Sequence, residues 1–104
     1  SGRVTGVQTC ALPISDTGKL VDGGFTQQVT QVLTNLDAIL NVAGSNLGKA
    51  VKLTVFLKDF SNYAELNDVF ADFFSESEPP ARSALQVTKL PMDAEVEIEC
   101  IAVL

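Results

Sequence analysis

The sequence contains no histidine, and this absence removes several kinds of active site. Neither a Ser-His-Asp nor a Cys-His nucleophile system can be assembled, and a metal site with imidazole ligands is excluded as well. The two cysteines, Cys10 and Cys100, lie too far apart in the chain to form a metal-ligand motif, and they do not indicate a disulfide framework. We therefore expect no metal and no cofactor, and a reducing compartment, either the cytoplasm or the mitochondrial matrix.

Basic residues are also scarce. Seven lysines and arginines stand against thirteen acidic residues, which gives a net charge of −6. Such a chain is repelled by phosphate backbones, so we expect no nucleic-acid partner. No apolar run approaches the roughly 18–20 residues that cross a bilayer, so no membrane partner is expected. A chain of 104 residues suits one domain. The core of such a small domain is modest, so contacts between subunits of an oligomer could add to its stability.

Apolar residues at steps of three and four predict two helices. The first covers about 25–43 and ends at Gly44, which suits a helix C-terminus. The second covers about 62–75, and Pro79-Pro80 stop it. The phenylalanines are assigned to the core or an interface, without a chemical role: Phe56, Phe60, Phe70, Phe73 and Phe74.

Alternating patterns predict strands at 51–58, 82–88 and 95–103. In the first of these, one side carries Val51, Leu53, Val55 and Leu57. The last two are expected to pair as a hairpin whose loop is opened by Pro91. The order α, β, α, β, β predicts an α/β (α+β) fold, a mixed sheet with two helices packed on one face.

Arg82 is the first candidate functional residue, because it lies where the Pro-Pro break enters a strand. Its planar, permanently charged fork is suited to holding a carboxylate at two points. The alternative is a surface arginine that pairs with one of the many acidic residues.

Glu95, Glu97 and Glu99 alternate with apolar residues, which places the three carboxylates on one face of a strand. One of them could be a general base or orient a water molecule. The alternative is an ordinary hydrated sheet face.

Asn67 interrupts an otherwise apolar stripe of the second helix formed with Tyr63, Phe70 and Phe74. A buried amide needs hydrogen-bond partners. It either braces a neighbouring loop or points into a cleft and contacts a ligand.

Several blocks of residues 15–104 follow one another in the order and spacing of a known family. They are D-T-G-K-L-V at 16–21, Q-V-L-T-N-L-D-A-I-L at 31–40, A-G at 43–44, V-K-L-T-V-F-L-K-D-F at 51–60, F-F at 73–74, P-A-R-S at 80–83, L-P at 90–91, E-I-E at 97–99 and I-A-V at 101–103. In these blocks the chain resembles the RidA/YjgF family of 2-iminobutanoate/2-iminopropanoate deaminases.

The resemblance implies a chorismate-mutase-like fold and a homotrimer with sites in the clefts between subunits. It implies hydrolysis of reactive 2-enamine and 2-imine acids, such as 2-aminoacrylate, to 2-keto acids and ammonia. Arg82 would bind the substrate carboxylate, Glu97 would position the attacking water, and Asn67 matches the family's asparagine in the second helix. Ala84 stands at a substrate-site position where many members carry cysteine, so no reactive thiol is expected there.

Residues 1–14 depart from the family pattern, which has an S-G-Q-I-P-like block after a strand and an aromatic loop. They are interpreted as a weak strand, the tail of a poor signal peptide or an artefactual segment on an N-terminally truncated or chimeric domain. Three other hypotheses stay open: a non-catalytic ligand-binding or chaperone-like trimer, a ribonuclease or translation inhibitor, and an inactive fragment.

Overall fold

The computed structural model describes residues 5–104, and its two long helices lie close to the positions that the apolar spacing predicts. Helix α1 spans Phe25–Val42 and helix α2 spans Tyr63–Phe73. At the start of α1 the Gln27 side chain accepts a hydrogen bond from the backbone N–H of Gly24, over 2.9 Å. At its end Gly44 takes a φ of +90°, a conformation that favours glycine, so the predicted stop is confirmed.

Four strands form one sheet in the order β1-β4-β2-β3. Their bounds are Gly6–Ala11 for β1, Ala50–Leu57 for β2, Ala81–Gln86 for β3 and Val96–Val103 for β4. Strand β4 runs antiparallel to both β1 and β2, whereas β2 and β3 are parallel. The N-terminal segment thus contains a strand, and its partner is the last strand of the chain.

The predicted hairpin between the last two strands is wrong. Strand β2 lies between β3 and β4, so these two strands share no ladder. The residues around Pro91 form a short 3-10 turn at Pro91–Asp93 that carries the chain across the end of β2. The backbone N–H of Lys58 donates to the carbonyl of Glu95 at this crossing, over 3.1 Å.

The core lies between the helices and one face of the sheet. Its largest fully buried members come from α1, α2, β2 and β4: Val29, Val32, Leu33, Leu36, Leu40, Leu53, Val55, Leu57, Leu66, Val96 and Ile98. Val51, which shares a predicted strand face with Leu53, is exposed at 48%, and Ile39, an apolar residue of α1, is exposed at 40%. A register irregularity between Ala50 and Lys52 turns Val51 outward.

The predicted fold class is confirmed: a mixed sheet with two helices on one face. Gln28, a polar residue of α1, is buried, and its side chain accepts a hydrogen bond from the backbone N–H of Glu95. None of the helices in residues 5–104 is both long and apolar enough to span a membrane.

Candidate active site

Arg82 lies on the helix-facing side of β3. It is paired in parallel register with Leu53, which is fully buried beneath the helices. Its guanidinium carbon lies 5.3 Å from the centre of the Tyr63 ring and 5.0 Å from that of Phe70. Both aromatic rings belong to α2, so the half-buried cation is held between the edge strand and the second helix.

Two neutral groups of α2 accept hydrogen bonds from Arg82. Its Nη2 donates to the Tyr63 hydroxyl at 3.0 Å and to Asn67 Oδ1 at 2.6 Å. The two acceptors are four residues apart, which places them on the same face of the helix. Within residues 5–104 no carboxylate lies within salt-bridge distance of the guanidinium. The arginine is therefore fixed in direction while its charge is left uncompensated.

Arg82 and Asn67 supply the polar groups of a cavity of about 260 Å³, here called the Arg82 cavity. Apolar residues form the remainder of its wall: Phe70, Ala71, Phe74, Pro79 and Pro80. An apolar pocket with one cation and one amide suits a small anionic molecule. Ala84 lies two residues further along β3, where it packs against the core.

Glu97 lies on the opposite face of the sheet from Arg82. It is paired with Phe56, while its neighbours Val96 and Ile98 point to the buried side. Two strand spacings of about 4.8 Å and three residues of about 3.3 Å separate Arg82 and Glu97, so their Cα atoms are roughly 14 Å apart. Within one chain the structure brings Arg82 and Asn67 together but does not bring Glu97 to them.

Glu97 contributes to a second cavity of about 570 Å³, here called the Glu97 cavity. Its other walls come from the end of β1, the segment that follows β1, and α1: Cys10, Ala11, Leu12, Ile14, Ser15, Asp16, Gln31, Asn35, Ala38 and Ile39. Asn35 fixes this wall, because its Nδ2 donates to the carbonyl of Leu12 at 3.0 Å and to that of Ile14 at 2.9 Å.

Sequence reasoning did not identify Tyr63 as a partner of Arg82. It was assigned to an apolar stripe, although the spacing of four residues to Asn67 places both side chains on one face. Its ring also stacks on Phe60, with the ring centres 4.9 Å apart. Of the phenylalanines assigned to the core or an interface, Phe70 and Phe74 are buried, whereas Phe60 and Phe73 are 40% and 37% exposed.

Burial raises the pKa of the Cys100 thiol to about 11. Lys58 and Asp93 form a 2.6 Å ion pair beside the crossing, and their hydrogen bond raises the pKa of the lysine and lowers that of the aspartate. In the part of the chain that the structure describes, no cluster of three or more acidic or thiol side chains could hold a metal ion.

The fold and the site define a class: small α+β proteins in which a mixed sheet and two helices hold an arginine above an apolar pocket. A family model described as endoribonuclease L-PSP matches residues 5–104. The chain therefore belongs to the Ribonuc_L-PSP family.

Named relatives support the same family. The chain is 49% identical over 100 residues to the RutC family protein UK114 of Drosophila melanogaster, covering 96% of this chain and 72% of that protein. It is 45% identical over 86 residues to the 2-iminobutanoate/2-iminopropanoate deaminase of Capra hircus, covering 83% of this chain and 62% of the relative. The resemblance stated from the sequence motifs is thereby confirmed.

A solved structure shows the same architecture with a ligand. The chain is similar to the crystal structure of E. coli TdcF with bound serine, with a TM-score of 0.90 and 36% identity. The likeness covers 96% of this chain and 81% of TdcF.

Proposed function

We propose that this protein is a deaminase that hydrolyses reactive 2-enamine and 2-imine acids, such as 2-aminoacrylate, to 2-keto acids and ammonia. The observation that carries this proposal is the state of Arg82. It is half-buried, held in place by two neutral acceptors, and free of any salt bridge within residues 5–104. A desolvated guanidinium of this kind binds an anion strongly, and a carboxylate fits its fork.

The relatives support a substrate that carries a carboxylate. One at 45% identity is named 2-iminobutanoate/2-iminopropanoate deaminase, and its name describes acids of this type. The similar structure of TdcF contains serine, an amino acid with a carboxylate next to its amine. We infer that Arg82 holds the substrate carboxylate and that Asn67 holds Arg82 in place, with Ala84 nearby in the substrate site.

The chemistry then needs a water molecule and a group that accepts its proton. In an imine the C=N carbon is already electrophilic, so water adds to it and the C–N bond then breaks, which releases ammonia and leaves the 2-keto acid. We propose Glu97 as the group that orients the water and accepts its proton. Holding the carboxylate beside that water orients the two reactants, and the reaction in solution lacks this orientation.

We further propose that the complete site forms between two copies of the chain, in a homotrimer. Arg82 lies on the edge strand β3, whereas the Glu97 cavity adjoins β1 at the other edge of the sheet. Two different edges of one molecule can meet when identical chains join head to tail, and such contacts close into rings. In a ring of three, Arg82 of one copy would face Glu97 of its neighbour.

Turnover by the Arg82→Ala variant tests the proposal. 2-Aminoacrylate generated in the assay also hydrolyses without enzyme, so the readout is the added rate of 2-keto acid formation, with sedimentation reporting the assembly. We expect the enzymatic increment to disappear in the variant while the assembly persists. Lys89→Ala removes an exposed positive charge outside the Arg82 cavity and is expected to retain activity. An Arg82→Ala protein with unchanged turnover would refute the proposal.

The same assay separates the proposal from its alternatives. If the wild-type protein binds carboxylates without accelerating hydrolysis, it is a ligand-binding or chaperone-like assembly. The family's description also names endoribonuclease activity. A net charge of −6 and the lack of histidine weigh against that activity in this chain.

A further inference from the structure

Arg82 has more N–H donors than its contacts in the fold use, and both of its side-chain hydrogen bonds come from one nitrogen, Nη2. A guanidinium offers five N–H donors: one on Nε and two on each Nη. Both hydrogens of Nη2 are engaged, one by the Tyr63 hydroxyl and the other by Asn67 Oδ1. No acceptor in residues 5–104 bonds to Nε or Nη1.

This distribution affects how a carboxylate can bind. A two-point grip requires two parallel N–H bonds on one edge of the guanidinium plane. The two edges that offer such a pair are Nη1 with Nη2 and Nε with Nη2, and each needs a hydrogen of Nη2. A carboxylate that grips Arg82 at two points must therefore displace either Tyr63 or Asn67.

We propose that the Tyr63 hydroxyl is the group displaced: it acts as a placeholder on Arg82 that only a carboxylate replaces. The proposal rests on the proposed function, in which Arg82 anchors a carboxylate. Tyr63 forms the longer of the two bonds, 3.0 Å against 2.6 Å for Asn67. Asn67 also lines the Arg82 cavity, whereas Tyr63 does not, so a ligand in the cavity remains in contact with Asn67 after the Tyr63 hydroxyl has left.

The placeholder gives the site selectivity for charge. In the empty site the hydroxyl accepts a hydrogen bond from the half-buried guanidinium, and this bond offsets part of the cost of removing the cation from water. A neutral ligand oxygen gains nothing over the phenol that it would replace. A carboxylate adds its own negative charge and a second parallel hydrogen bond, so it displaces the hydroxyl, which then bonds to solvent because Tyr63 is only half-buried. Tyr63 is thus a positioning and specificity-determining residue, and it does not take part in the chemical step.

The chain provides its own spectroscopic probe for this exchange. Tyr63 is the only tyrosine and there is no tryptophan, so the tyrosine fluorescence of the protein reports on this one ring. Pyruvate, an unreactive 2-keto acid, serves as the ligand. In the wild-type protein we expect a saturable change in Tyr63 emission with the same midpoint as the heat of pyruvate binding. An unchanged emission at saturating pyruvate would overturn the proposal without the need for any variant.

Calorimetry on variants supplies the second measurement. Tyr63→Phe removes the competing hydroxyl and keeps the ring stack on Phe60, so we expect pyruvate to bind about three- to tenfold more tightly. Asn67→Ala removes the group that stays in place and is expected to weaken binding. Ser83→Ala removes a hydroxyl from the other face of β3, where it bonds to Lys52, and is expected to leave the affinity unchanged.

The outcomes separate this inference from the proposed function. Equal or weaker pyruvate binding by Tyr63→Phe would mean that the hydroxyl only supports the arginine, and the placeholder role would be wrong. Wild-type affinity in Arg82→Ala would instead show that Arg82 is not the carboxylate anchor, and the proposed function itself would fail. Tighter binding by Tyr63→Phe together with its loss in Arg82→Ala would support both.

Discussion

The Arg82 cavity and the Glu97 cavity differ in how their charged groups are held. In the Arg82 cavity the cation is fixed by Tyr63 and Asn67, so its direction is set before any ligand arrives. In the Glu97 cavity, as far as residues 5–104 show, the carboxylate of Glu97 accepts no hydrogen bond from the protein. The hydrogen bonds there fix the backbone wall instead, through Asn35. One chain thus fixes the direction of the cation, but it leaves the carboxylate without a hydrogen-bond donor of its own in the described residues.

The largest expected effect tests this division between binding and chemistry. Glu97→Gln removes the proposed proton acceptor, so we expect turnover of 2-aminoacrylate to fall by about 10²- to 10³-fold. Pyruvate binding should stay within about twofold of the wild type, because one chain holds Arg82 without help from Glu97. The measurements are the rate of keto-acid formation and the calorimetric affinity.

A matched control lies two residues along the same strand face. Glu99 is also half-buried, but it is paired with Thr54 and does not line the Glu97 cavity. Glu99→Gln is expected to retain turnover. A comparable loss in both variants would show that the charge of the sheet face matters more than the position of one carboxylate.

The second effect is an alkaline loss of stability in the half of the sheet formed by β1 and β4. The pKa of the Cys100 thiol is raised from 9.0 to about 11 in the folded protein, so the folded state keeps the proton longer than the unfolded chain does. Its contribution to the free energy of unfolding is complete below pH 9 and is lost as the pH rises towards 11. A shift of this size corresponds to at most about 3 kcal/mol.

Urea unfolding between these pH values measures that contribution. Cys100→Ala lacks the thiol and shares every other titrating group. The two proteins are compared by how steeply the free energy of unfolding changes with pH, and the difference is due to Cys100. If the free energy of unfolding changed with pH in the same way in both proteins, the thiol would ionise as easily in the folded protein as in the unfolded chain.

The smallest effect concerns the wall of the Glu97 cavity. Asn35→Ala leaves the carbonyl of Ile14 without its donor, whereas that of Leu12 keeps the backbone N–H of Ile14. We expect a loss of about 1–2 kcal/mol in the free energy of unfolding. Hydrogen exchange should accelerate at 12–20, where Ile14 bridges to Leu20, and stay unchanged around Arg82. Faster exchange in α2 as well would show that the two cavities are mechanically coupled.

Elements with a strong local period could be predicted from the sequence. The steps of three and four in α1, and the glycine that ends it, reflect local backbone and side-chain geometry. The pairing of β3 could not be predicted, because neighbours in the sequence need not be neighbours in the sheet. The outward turn of Val51 was missed for a related reason, since one irregularity in a ladder reverses the face of a residue.

The candidate site was predictable in its residues but not in its arrangement. Arg82, Asn67 and Glu97 were selected by their chemistry and by a family resemblance. The hydrogen bonds of Arg82 with Asn67 and Tyr63 depend on where α2 packs against β3, which no local pattern encodes. Arg82 and Glu97 lie two strands apart and on opposite faces of the sheet, and this separation depends on strand order and register.

The sequence by itself determined which segments form the two long helices and the last three strands, and which residues could carry charge chemistry. Through the lack of histidine it also determined which mechanisms are closed to the residues of this chain. Only the tertiary structure decided that β2 separates β3 from β4 and that Tyr63 and Asn67 share the same nitrogen of Arg82. The physical reason is that side-chain period and charge are local properties of the chain. Strand order and the direction of a guanidinium are set by contacts between distant segments.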